Sequence, residues 1–131
     1  MKNISYILLT FCLLAGCANN AKQESDLKND IISLHEKMMN NDELLMKNKM
    51  KLDTLLKLKK DTLVLKPLVA KLNAADDAMD KWMSQFQPDM TGKSHDEVIS
   101  YYNGQKKQVL SVDSQINIAI NESNKYFTSH K

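Results

Sequence analysis

Residues 26–60 read DLKNDIISLHEKMMNNDELLMKNKMKLDTLLKLKK. Alternating steps of four and three pick out Leu27, Ile31, Leu34, Met38, Asn41, Leu45, Asn48, Leu52 and Leu55, apolar apart from the two asparagines. Side chains three and four apart share one face of an α-helix. The spacing therefore predicts a long amphipathic helix with a near-heptad seam. Asparagines on such a seam set the register of paired helices at a cost in stability. The alternative is that the cluster Asn40-Asn41-Asp42 breaks or kinks this helix. Lys57, Lys59 and Lys60 crowd its end, where the helix dipole favours cations.

Downstream, Pro67 suits the first position of a helix, and the residue before a proline is pushed out of helical geometry. Asp61 to Lys66 is thus expected to be a connection, and a second helix to follow with the stripe Leu68, Leu72, Ala75, Met79, Trp82, Met83, Phe86. Pro88 closes it. Ser94 and Glu97 have the S-x-x-E spacing of a capping box, so a third helix starts at His95. Its stripe is Val98, Tyr102, Val109, Val112, Ile116, Ala119 and Tyr126, with Gln105 and Ser123 on the same line. Gly104 inside it costs about 1 kcal/mol against alanine.

The expected fold is all-α, a three-helix bundle with helices at about 26–60, 67–87 and 95–128. At 1.5 Å per residue the first and third reach roughly 50 Å and the second about 30 Å. The shorter helix leaves part of the helix 1/helix 3 seam exposed, or covered by a protein partner or a second copy in a homodimer.

Upstream, Lys2, the apolar run Ile4 to Leu14 and the small residues Ala15 and Gly16 form the three parts of an export signal. The apolar run is too short to span a bilayer, which needs about 20 residues. Leu14-Ala15-Gly16-Cys17 resembles the lipobox of bacterial lipoproteins, in which the cysteine is acylated and becomes the first mature residue. The chain then divides into a signal peptide (1–16), a lipidated tether (17–25) and a helical domain (26–131). Several acyl chains on Cys17 would hold the protein stably on a membrane. Ala18, in place of Asp, is similar to the outer-membrane sorting choice of Gram-negative lipoproteins. The expected location is the cell envelope, lipid-anchored, facing the periplasm or the surface.

Composition removes several classes of function. The chain carries 18 Lys+Arg, all lysine, against 16 Asp+Glu. Without arginine, planar bidentate phosphate recognition is lost, and the balanced charge argues against nucleic acid. Cys12 leaves with the signal and Cys17 is lipidated, so the mature domain has no thiol for a disulfide, a zinc site or a nucleophile.

Three kinds of chemistry remain. Methionine and histidine suit Cu(I) or Ag(I), and His35, Met38, Met79, Met83 and His95 are the candidate ligands, with copper as the implied cofactor. His35 and Met38 have HxxM spacing, and Met79 and Met83 lie one turn apart. Methionine at helical spacing more often fills a core. A methionine-lined groove for a partner is the second candidate, at Met46, Met50 and Trp82. Acid–base catalysis has only His95 beside Asp96 and Glu97, acids better explained as capping residues. No phosphate loop or HExxH motif is present, so no enzyme is expected.

The segment Asp76-Asp77-Ala78-Met79-Asp80-Lys81-Trp82-Met83-Ser84-Gln85-Phe86 resembles a motif of small uncharacterised Gram-negative lipoproteins, some labelled "viral A-type inclusion protein" from coiled-coil similarity. His35 to Met39, Ser94 to Val98 and Gln105 to Lys107 are similar too, while Tyr102 and Gly104 depart from the pattern. The resemblance implies a lipoprotein with a helical fold and carries over no catalytic residue.

Overall fold

The computed structural model describes the backbone of residues 4–130 and the side chains of residues 19–130. Three helices follow one another: α1 (Ile4–Lys57), α2 (Thr62–Gln85) and α3 (His95–Ser129). Each packs against the other two, and no strand occurs among the described residues. The chain is an all-α three-helix bundle. None of its described helices is long and apolar enough to cross a membrane. The expectations for Cys17 and the signal lie outside the residues with described side chains.

The seam of α1 is buried as its spacing requires, with Ile31, Met38, Leu45 and Leu52 fully enclosed. From α2 come Leu65, Leu72, Ala75, Met79 and Trp82, and from α3 come Val98, Tyr102, Val109, Val112, Ile116, Ala119, Ile120 and Tyr126. Cross-links show the direction of each helix. Asp30 pairs with Lys106 and Lys37 with Asp113, so α1 and α3 run parallel. Lys71 pairs with Glu122 and Trp82 with Gln105, so α2 runs against α3.

Two expectations need correction. The helix does not wait for Asp26: residues 18–25, read as a loose tether, already belong to α1. Ala21, Lys22, Gln23 and Glu24 are good helix formers, and Glu24 reaches His95 at 2.8 Å, tying this turn to the start of α3. The helix also runs unbroken through Asn40-Asn41-Asp42. Asn41 Nδ2 there donates to Asn117 Oδ1 at 3.3 Å, so its amide is used between helices rather than against its own backbone.

Pro67 lies inside α2, which starts at Thr62 instead. The proline removes a donor from the carbonyl of Leu63, but Leu63 is 91% exposed, where water can serve that carbonyl. The earlier start brings Leu65 into the core, one heptad before Leu72.

Beyond the end of α2 the connection covers part of the seam. Phe86 and Met90 pack against the core beyond the end of α2. The connection is pinned there by Tyr102 Oη and Lys28 Nζ, which donate to the Pro88 carbonyl at 3.1 and 3.3 Å, and by Gln87 N–H, which donates to Tyr101 Oη at 2.7 Å. Gly92, at φ +80°, makes the turn that returns the chain to Ser94.

The ends of the helices are built differently. Ser94 and Glu97 form the expected capping box. At the end of α1, Lys60 N–H donates to Leu55 O and Lys59 N–H to Leu56 O, the bond pair of a Schellman motif. Lys59 holds the left-handed position at φ 56°, and Asp61, the N-cap of α2, lies at φ 39°. Asp61 makes no side-chain cap. Its carboxylate instead accepts from Tyr126 Oη at 3.1 Å, fastening the α1–α2 turn to the end of α3.

Candidate functional site

On α1, Ile32 and His35 stand one turn apart at the edge of the buried stripe. On α2, Met83 and Phe86 occupy the corresponding edge, beside buried Trp82. These five side chains line a recess of about 230 Å³ between the two helices. His35 Nε2 lies 3.1 Å from Met83 Sδ. A thioether only accepts, so the contact requires the tautomer with its proton on Nε2. The His35 and Trp82 ring centres are 5.6 Å apart.

The floor of the recess is held from behind. Trp82 Nε1 donates to Gln105 Oε1 at 3.0 Å inside the bundle, which satisfies the one polar atom of a buried indole. Phe86 stacks on Trp82 at 5.1 Å, and Tyr101 stacks on Phe86 at 6.4 Å. The Trp82 ring is thus fixed by a hydrogen bond on one side and a stacked ring on the other. His35 and Met83 stand at the accessible rim, each only partly buried.

Of the five residues expected to bind a soft metal, the structure brings together two. Met38 and Met79 are enclosed in the core, as expected of methionines at helical spacing. His95 is held by Glu24, and neither lines the recess. The HxxM spacing pointed His35 at Met38, but its sulfur partner is Met83, on another helix. Of Met46, Met50 and Trp82, only Trp82 lines the recess. Trp82 is 5% exposed, whereas Met50 is 68% exposed, and neither Met46 nor Met50 lines the recess.

Among the described residues, no three His, Cys, Asp or Glu side chains converge as a metal cluster. Next to His95, the Glu97 carboxylate accepts from the Ser94 backbone N–H and hydroxyl, both at 2.8 Å. These bonds hold Glu97 below the usual carboxylate range. Glu97, one member of the His95-Asp96-Glu97 cluster, is therefore engaged in a helix cap. Elsewhere, burial raises the pKa of Asp42, with the charges of Asp76 and Asp80 adding to the effect.

A larger concavity of about 540 Å³ lies along the upper part of α1, between residues such as Asn19, Lys22, Asp26 and Asn103. Its lining is polar apart from Leu27, and Lys22 and Asp26 are paired with each other at 2.8 Å. No family model, no curated protein and no solved structure matches the chain. What the fold and site define is a small all-α bundle with an apolar recess rimmed by a histidine and a methionine.

Proposed function

We propose that this chain is a cell-envelope lipoprotein, anchored through acylated Cys17 to the outer membrane, whose bundle is a binding module for a small ligand. The single observation that carries the binding role is the recess at Ile32, His35, Trp82, Met83 and Phe86. It joins an apolar lining to one polar group, the usual composition of a ligand site, and at about 230 Å³ it lies below the usual 300–1,000 Å³ of organic ligand pockets. The ligand is therefore small, a few atoms or an ion. The anchor rests on the arrangement Leu14-Ala15-Gly16-Cys17 after the apolar run.

Two measurements test this. Mass spectrometry of the mature protein should find acyl chains on Cys17, and Cys17→Ser should release the protein from envelope membranes. An unmodified thiol at Cys17 in the membrane fraction would overturn the anchor. For the recess, benzene and imidazole-sized probes should shift nuclear magnetic resonance signals of Trp82 and Met83 selectively. Shifts scattered over the bundle, or none, would overturn the binding role.

A further inference from the structure

We infer that the His35–Met83 pair binds a monovalent soft cation, Cu(I) or Ag(I), with the indole face of Trp82 as a third contact. The inference rests on the recess being a binding site and names what it takes.

The chemistry of the lining makes the selection. An imidazole nitrogen and a thioether sulfur already touch, at 3.1 Å, across two helices. The other lining residues, Ile32, Trp82 and Phe86, supply no oxygen ligand. Mg²⁺ and Ca²⁺ need six or more oxygen ligands and find none here. Zn²⁺ normally takes four nitrogen, sulfur or carboxylate ligands. It would also bring two charges into an apolar recess lined by no carboxylate, a costly burial. A singly charged soft cation accepts few ligands, prefers thioether and imidazole, and gains from an aromatic face within about 6 Å. The His35 and Trp82 ring centres are 5.6 Å apart and tilted by 39°, so the indole is the aromatic neighbour of the imidazole that carries the donor atom.

Binding requires two local changes. The cation bonds through the Nε2 lone pair, so the proton now on Nε2 passes through solvent to Nδ1, and the imidazole stays neutral. The cation also has to enter between nitrogen and sulfur. With bonds of roughly 2.0 and 2.3 Å, the values known for zinc, the two donors move apart by about 1 Å. The unbranched Met83 side chain has the rotatable bonds to do this. The Trp82 floor, bonded to Gln105, stays where it is. The metal keeps its oxidation state throughout.

The chain contains one tryptophan, so its fluorescence reports this site alone. Ag(I) is titrated into the full-length protein in detergent and chloride-free buffer, and Cu(I) under nitrogen as its acetonitrile complex. Trp82 emission should be quenched and saturate at one equivalent, and His35→Ala and Met83→Leu should each weaken binding at least about tenfold. Histidine ¹⁵N spectra should show Ag(I) moving His35 Nε2 and leaving His95 in place, which keeps the test independent of variant folding. Cys12→Ser and Cys17→Ser are present in every protein titrated, because a free thiol would take up Ag(I) ahead of a thioether.

Quenching that never saturates, binding indifferent to both substitutions, or tighter binding of Zn(II) than of Ag(I) would overturn the inference. If the benzene probe occupies the recess and Ag(I) does not, the metal is wrong and the binding module stands. If neither enters, both fail.

Discussion

Asn48 Nδ2 donates to Ser123 Oγ at 2.8 Å in the buried seam between α1 and α3. The same amide donates to Asn124 Oδ1 at 2.9 Å, across an offset of 76 residues. That offset recurs at Asp30–Lys106, Lys37–Asp113 and Asn41–Asn117. The contacts form a polar ladder that locks two parallel helices in one register. Slipping α3 by one turn would set Asn48 against Ala119 and Ile120 and leave its amide unpaired in the core.

Asn48→Ala is expected to lower the unfolding free energy by about 1–3 kcal/mol, from lost hydrogen bonds and a new void. A double-mutant cycle with Ser123→Ala, followed by denaturant unfolding, should give a clear coupling energy. Additive effects would mean that the pair does not hold the register.

The capping box sets an acid-side dependence. The folded pKa of Glu97 is depressed, first by the Ser94 N–H and then by the Ser94 hydroxyl. Its stabilisation is present above the unfolded carboxylate pKa and is lost as pH falls through the folded value. Ser94→Ala should cost about 1 kcal/mol near neutral pH. Melts recorded across the acid range should show this cost shrinking as pH drops.

Asp42 works in the opposite sense. Its folded pKa is raised, by burial first and then by Asp76 and Asp80, and one carboxylate oxygen is buried without a partner. The folded state holds the proton more tightly, so this group favours folding below its ordinary pKa. That contribution is lost as pH rises through the folded value. Asp42→Asn should therefore stabilise the bundle at neutral pH, on the order of 1 kcal/mol. The gain should vanish in acid, and calorimetry at two pH values checks it.

Two backbone positions hold the wrong residue for stability. Lys59 occupies a left-handed position that favours glycine, while Gly104 sits within α3, where an added Cβ meets nothing within 4 Å. Lys59→Gly and Gly104→Ala should each stabilise by about 1 kcal/mol. The two sites are far apart along the bundle, so the double variant should melt at the sum of the two shifts. A loss of stability at Gly104 would mean that the helix needs that flexibility.

Much of the fold is legible one helix at a time. Ile31, Met38, Leu45 and Leu52 declare their buried face by spacing alone, and Ser94 with Glu97 declares where α3 begins. Pro67 misled because its preference for a first turn is local, whereas packing Leu65 under the bundle favoured an earlier start. The tether expected before Asp26 became helix for a similar reason, since Glu24 gains a partner only once His95 is placed beside it.

By itself, then, the amino-acid order determined three amphipathic helices and most of the stripe each one buries, because the 3.6-residue repeat is a property of neighbours along the chain. Only the tertiary structure decided which stripe edges meet. That choice seats Asn48 on Ser123 and turns His35 from Met38, its neighbour in sequence, to Met83, 48 residues away. The rotation and register of one helix against another follow from packing all three together, and no stretch of one helix contains that information.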